Sequence, residues 1–281
     1  MAGIHNSESR IQNSESRIEA ALRNHRPGRE GKLVVYLTAG DPTLEATVKL
    51  LTAVDRGGAD VIEVGVPFSD PMADGPVIQR ASERALRSGT TLRGILERLS
   101  SWRQAVRSPI ILFSYYNPVL QYGLERFSGD LSRAGAEGAL VVDLSPEEAS
   151  PYMSAMRMAK LDTVFLASPT STDERIARIA QLSTGFIYLI SRPGVTGERA
   201  NLSAAVPPLI ERVKRHTHLP LAVGFGLSTP GQIKEIQRLA DAAVVGSALV
   251  RAIEERYPAE GEAGIERFVR WLKSGSRSKP E

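Results

Sequence analysis

The sequence predicts an α/β chain folded as a (β/α)8 barrel with an extra N-terminal helix, and three observations carry that reading. Short apolar runs recur eight times along the 281 residues, separated by longer segments of helical period. The runs are rich in β-branched residues and almost unbroken by polar ones, as parallel strands covered on both faces must be. The length suits one barrel domain with a substantial core.

The first thirty residues read as a polar extension, helical as far as about Arg23. They hold a near-exact duplication, Asn6–Ile11 and Asn13–Ile18, which spaces Ile4, Ile11 and Ile18 by seven. One heptad repeated twice is too short for a coiled coil, so an amphipathic helix is expected. The strand-like runs follow as Leu33–Thr38, Val61–Val66, Ile110–Ser114, Ala139–Asp143, Thr163–Ala167, Phe186–Ile190, Leu221–Val223 and Ala243–Val245. Helical signals fill Thr43–Gly57, Pro146–Lys160, Thr172–Leu182 and Thr229–Ala240. Capping residues open two of them, Ser145 before Pro146 and Ser228-Thr229 before Pro230. The whole of 1–281 is expected to form a single barrel domain, with 1–30 as its helical extension and 274–281 as a disordered tail. The competing fold is a doubly wound open sheet. It usually carries a glycine-rich dinucleotide loop after its first strand, whereas here that strand leads only to Ala39-Gly40-Asp41-Pro42.

Composition narrows the chemistry. A net charge of +3 gives no polyanion-binding surface, so no nucleic-acid partner is expected. The chain has no cysteine, which removes disulfides, thiolate nucleophiles and Cys-ligated metals, and suits a reducing compartment. No apolar run approaches the roughly 18 to 20 residues that cross a bilayer. The N-terminus lacks the basic start and apolar stretch of a signal peptide. A cytoplasmic protein with no membrane association is expected, without a metal or cofactor in this chain.

A barrel of this kind works at the C-terminal ends of its strands. The four histidines are badly placed for that: His5 and His25 lie in the extension, and His216 and His218 precede the seventh strand, at the other end. Proton transfer therefore falls to carboxylates. Glu63 interrupts the apolar run Val61–Val66, and period two puts it on one face with Val61 and Gly65, opposite Ile62 and Val64. If Ile62 and Val64 pack under helices, Glu63 points into the barrel near its mouth, where desolvation raises a carboxyl pKa. The alternative is an outward Glu63 in a structural ion pair. The next loop, Pro67–Pro76, holds Asp70 and Asp74 among three prolines and is shaped rather than slack. Either aspartate could serve only as a turn residue; two carboxyls in unlike surroundings would divide acid and base work.

Glycines after the last two strands, Gly224-Phe225-Gly226 and Gly246-Ser247 before a short helix, form the pattern of a barrel phosphate site, although turns need glycine too. The segment Ser191–Glu198 reads as a loop that closes over a ligand, or else as a plain exposed connection.

Taken together, Glu63–Pro76, Tyr36–Pro42, Ser168–Glu174, Ser191–Gly197 and Gly224–Gly226 resemble the blocks of the tryptophan synthase alpha subunit family, from about Gly31 to Lys273. The resemblance implies a lyase that cleaves indole-3-glycerol phosphate to indole and D-glyceraldehyde 3-phosphate. It implies Glu63 and Asp74 as the catalytic acids, with Asp74 on the indole N–H and Glu63 shuttling protons. Tyr188, Thr196, Gly197, Phe225, Gly226, Gly246 and Ser247 match substrate contacts, and Asp143 a supporting aspartate. Asp70, Pro71 and Asn117, in the turn Tyr115–Pro118, match loops facing a beta subunit in an αββα complex. Pyridoxal phosphate is implied in that partner and not here.

The sequence departs from the family at Pro193, which stiffens the expected closing loop, at the duplicated heptad and in the C-terminal tail. Three other readings stand beside this one: a barrel kept only to activate its partner, a sugar-phosphate isomerase sharing the phosphate site, and a stand-alone indole-releasing lyase.

Overall fold

Every strand of the sheet has a parallel neighbour on each side, because the first pairs with the last. The computed structural model describes residues 16–23, 31–190, 204–224 and 226–274. After α1 (Arg17–Arg23) come β1 (Lys32–Thr38), α2 (Leu44–Gly57) and β2 (Val61–Gly65). Two helices, α3 (Pro76–Arg87) and α4 (Leu92–Ala105), lead to β3 (Ile110–Ser114). Two more, α5 (Tyr116–Tyr122) and α6 (Leu124–Arg133), lead to β4 (Gly138–Val141). There follow α7 (Ser150–Met158), β5 (Asp162–Ala167), α8 (Asp173–Leu182) and β6 (Ile187–Ile190). The chain ends with α9 (Val206–Lys214), β7 (Leu221–Gly224), α10 (Pro230–Gln237), β8 (Ala242–Val245) and α11 (Ser247–Ser274).

Each of the eight apolar runs contains a strand, with ends within two residues of those expected. The pairing Val34↔Val244 and Val35↔Val245 closes β8 onto β1, which excludes the open sheet and makes this a (β/α)8, or TIM, barrel. Strand alternation sorts the core. Val34, Val61, Ile111, Leu140, Val164, Ala222 and Val244 fill the barrel interior. Val35, Ile62, Val64, Leu112, Phe165 and Val223 pack outward under the helices. Helix starts follow local chemistry: Thr43 accepts from the Ala46 amide, Thr172 from Arg175, and Thr229 forms a reciprocal box with Gln232. Among the described residues no helix is long and apolar enough to cross a membrane.

Three sequence expectations are corrected. The helix expected from Pro146 begins at Ser150, while Ser145 donates instead to the Glu148 carboxylate at 3.1 Å. Pro151 decides this: it has no N–H to donate and is tolerated in a first turn, not inside a helix started five residues earlier. The turn Tyr115–Pro118 opens a helix, α5, with Pro118 in its first turn. The short helix after β8 is a long helical segment reaching Ser274, broken where Gly261 adopts φ 58° and ψ −151°. Its second half is held by Ile265, Phe268, Val269 and Leu272, all in the outer core.

Helix α1 plugs the base of the barrel. Ile18 and Leu22, one helical turn apart on α1, are fully buried among the interior residues. Arg17 pairs with Glu137 and donates to the Arg107 carbonyl, and Arg23 donates to the His218 carbonyl. His218 thus sits at the base, away from the mouth. Leu22→Ala should cost about 2–5 kcal/mol of unfolding free energy, read from the denaturant midpoint, because it opens a cavity that the barrel floor cannot collapse into. A loss under about 1 kcal/mol would mean the plug is dispensable.

Candidate active site

Glu63 is the fulcrum of the barrel mouth. It pairs in register with Tyr36 on β1 and Ile111 on β3, with the inward Val61 below it. Only 1 % of it is exposed, and its Oε1 has no hydrogen-bond partner. Burial without a compensating charge pushes its carboxyl up to about 8.

Two tyrosines flank it, and two glycines make room for them. A Cβ on Gly65 would lie 2.2 Å from the Tyr36 hydroxyl, and one on Gly224 would lie 2.3 Å from the Tyr188 hydroxyl. The strand ends are therefore glycine because aromatic rings from neighbouring strands lie across them. Tyr36 stacks edge-on against Phe113, with centroids 5.2 Å apart and planes at 76°. Burial raises both phenols, reinforced by the Asp74 charge for Tyr36 and by Glu63 for Tyr188.

Asp74 enters from the loop between β2 and α3. Its amide donates to the Pro71 carbonyl at 3.1 Å, and its carbonyl accepts from the Gln79 side chain at 2.8 Å. The Tyr115 hydroxyl donates to Oδ2 at 3.1 Å and accepts from the Ala73 amide at 3.0 Å. Asp74 is 5 % exposed, and burial lifts its carboxyl to about 6 even though the Tyr115 bond pulls it down. The two acids thus occupy one mouth with well-separated affinities for a proton.

The cavity is lined by Tyr36, Glu63, Asp74, Phe113, Leu166 and Tyr188. Gly226, Gly246, Ser247, Ile78 and Val244 complete it. Gly226 has φ 93°, a left-handed backbone natural to glycine. Ser247 is the first residue of α11, and the Gly246 carbonyl accepts from the Leu249 and Val250 amides. The first N–H groups of a helix have no intrahelical acceptors and favour an anion.

Six of the residues singled out in the sequence therefore meet here: Glu63, Asp74, Tyr188, Gly226, Gly246 and Ser247. Thr196, Gly197 and Phe225, with Pro193, lie outside the described residues. Asp70, Pro71 and Asn117 do not line the cavity. Asp70 and Asn117 are exposed beside it, close in sequence to Met72, which is 88 % exposed, and to the half-exposed Leu120. Asp143 supports the rim by accepting from the Tyr116 amide at 2.7 Å. Tyr36, Ile78, Phe113, Leu166 and Tyr115 were missed. Tyr36 faces Glu63 only through the register of β1 on β2, which no periodicity within one strand encodes.

A barrel with two buried carboxyls facing a glycine-lined helix start narrows the candidates; comparison decides between them. The family model for the tryptophan synthase alpha chain matches residues 22–274. The chain belongs to the tryptophan synthase alpha chain family. It is 55% identical to the tryptophan synthase alpha chain of Solibacter usitatus (strain Ellin6076) over 244 residues, 86% of this chain and 91% of that one. The Mycobacterium tuberculosis tryptophan synthase structure is 38% identical with a TM-score of 0.84, covering 94% of this chain and 100% of that one. The tryptophan synthase alpha subunit structure of Legionella pneumophila str. Paris is 36% identical with a TM-score of 0.82, covering 93% and 98%. Tryptophan synthase alpha chains are lyases of tryptophan biosynthesis that cleave indole-3-glycerol phosphate, and their beta subunit is the partner this family implies.

Proposed function

We propose that this chain cleaves indole-3-glycerol phosphate to indole and D-glyceraldehyde 3-phosphate, with Glu63 and Asp74 dividing the proton work. The observation that supports this division is the unlike setting of the two acids, Glu63 near 8 and Asp74 near 6, in one cavity. Between those values the prevailing form is neutral Glu63 beside ionised Asp74. Neutral Glu63 gives its proton to indole C3, and the ring nitrogen takes up the positive charge. Asp74, accepting from the indole N–H, stabilises that cation. The Glu63 carboxylate then removes the proton of the hydroxyl on the carbon attached to C3. The carbon–carbon bond breaks, its electron pair returns to the ring, and the aldehyde leaves. Glu63 ends protonated, ready for the next turnover.

Tyr188 and Phe225 border the indole in this reading, and Thr196, Gly197, Gly226, Gly246 and Ser247 take the phosphate, as family position suggests. Asp70, Pro71 and Asn117 face the beta subunit of an αββα complex in the cytoplasm, and that subunit carries the pyridoxal phosphate. The test is indole release from indole-3-glycerol phosphate by the purified chain, with and without a tryptophan synthase beta subunit. Weak activity that rises sharply with the beta subunit supports the lyase and the partnership. Full activity unchanged by it would make this a stand-alone lyase, and none in either case would overturn the reading.

The profile of kcat/KM against pH should be a bell with limbs near 6 and 8, because it reports the free enzyme's acid and base. Tyr115→Phe should move the acidic limb upward. It removes the bond that favours the Asp74 carboxylate, so Asp74 holds its proton to higher pH. At pH 6 the rate should fall roughly threefold to tenfold more than at pH 7.5. An unmoved acidic limb would separate Tyr115 from the ionisation of Asp74.

A further inference from the structure

We propose that Arg84 is a positioning residue whose ion network holds Asp74 and Ser247, both lining the cavity, at the separation a spanning ligand needs. The proposal rests on the reading of that cavity as a site for an indole phosphate ester. Asp74 and Gly75 lead directly into α3, whose first residue is Pro76, while Ser247 begins α11. Asp74 therefore travels with α3 and Ser247 with α11. Between the first turns of these helices lies a small apolar cluster of its own: Val77, Ile78 and Ala81 from α3, Val250 from α11 and Tyr36 from β1. Methyl contacts of this kind resist separation but permit sliding, so they do not fix the distance along the helices.

Arg84 supplies the missing constraint. Its Nε and Nη2 donate to the two oxygens of Asp41 at 2.8 Å each, and its Nη1 donates to Glu254 at 2.7 Å. Arg80 reaches the same glutamate at 3.2 Å. Asp41 stands in the loop after β1, is buried, and is itself on a stiff base: the Gly40 amide donates to Thr47 at 2.9 Å. Arg84 is about two turns beyond the start of α3, and Glu254 about two turns beyond the start of α11. The guanidinium thus clamps both helices to one loop at matching depths. A planar fork can hold two carboxylates in fixed directions at once, which an ammonium cannot. Neither arginine nor either carboxylate lines the cavity, so the network acts only through the helices.

The experiment compares three probes on the purified chain by NMR titration: indole, inorganic phosphate, and an unreactive indole-3-alkyl phosphate that joins the two. The variants are Glu254→Gln, which frees α11 while leaving buried Asp41 paired, and Arg84→Lys, which keeps a cation beside Asp41 but loses the fork. Melting curves establish that each variant is folded at the titration temperature. The joined probe should bind at least tenfold more weakly to both variants, while indole and phosphate alone change less than twofold. KM for indole-3-glycerol phosphate should rise in both variants, in step with the joined probe and not with its separate parts. Equal weakening of all three probes would reduce the network to a general support of the fold, and an unchanged joined probe would overturn the proposal. If the unaltered chain fails to bind the joined probe, the reading of the cavity falls, and this proposal with it.

Discussion

Glu63→Gln should slow cleavage by about a thousandfold and, at the same time, make the protein more stable in alkaline buffer. The rate loss, about 4 kcal/mol in barrier, follows from removing the one group assigned to donate and then accept a proton. The stability gain follows from the same burial. Below pH 4.5 the carboxyl is neutral in the folded and unfolded chain alike and contributes nothing. Between 4.5 and about 8 the unfolded chain ionises it while the folded chain keeps it protonated, so rising pH favours unfolding. The penalty saturates above about 8, at on the order of 3–5 kcal/mol. Glutamine has no such titration. The variant's melting temperature should therefore match the parent's at pH 4.5 and exceed it by roughly 10 °C at pH 8. The direction follows from the burial, and Oε1 has no hydrogen bond to lose when it is replaced. Melts at the two pH values, beside single-turnover rates, check both halves. A rate loss under tenfold, or a stability difference that ignores pH, would remove Glu63 from its assigned place.

That Glu63 could be picked out of the sequence at all comes from contrast. Parallel strands buried on both faces are written in apolar residues, and one carboxylate among Val61, Ile62 and Val64 stands out. Its neighbours in the mouth have no such contrast. Tyr36 and Phe113 are aromatic residues on strands and read as ordinary core, and only register across strands puts them beside an acid. The hydrogen bond from Tyr115 to Asp74 joins residues from separate loops, which no local pattern encodes. Helices divided the same way. Those announced by a cap at Thr43, Thr172 or Thr229 were legible, whereas α3 to α6, arranged as two helices per connection, lacked a strand between them to mark their limits. The choice between barrel and open sheet lay in one tertiary pairing, β8 against β1, which the apolar runs do not determine.

Asp74→Asn supplies the complementary test, because it changes charge with little change in shape. Asparagine offers Tyr115 an acceptor in the same place, so the loop should keep its course. What disappears is the negative charge beside the indole nitrogen, and with it the stabilisation of the cation formed on protonation at C3. A loss of about a hundredfold to a thousandfold in kcat/KM is expected, roughly 3–4 kcal/mol. The two variants should also erase opposite limbs of the pH profile: the acidic limb near 6 goes with Asp74, the alkaline limb near 8 with Glu63. The reverse assignment, protonated Asp74 beside ionised Glu63, describes a form outnumbered about a hundredfold by the other at every pH, given the two values. An enzyme relying on that form would give a bell of the same shape but forfeit about 3 kcal/mol to population alone. Neither the surviving limb nor the depth of loss separates these cases; the cost in population does. A reverse-protonated enzyme would also lose heavily on Glu63→Gln at pH 7, because its minor form with ionised Glu63 carries all of its turnover. Large losses from both variants at that pH require a working group at each position, and the population difference favours the neutral acid at 63 as proton donor with the anion at 74 as its counter-charge.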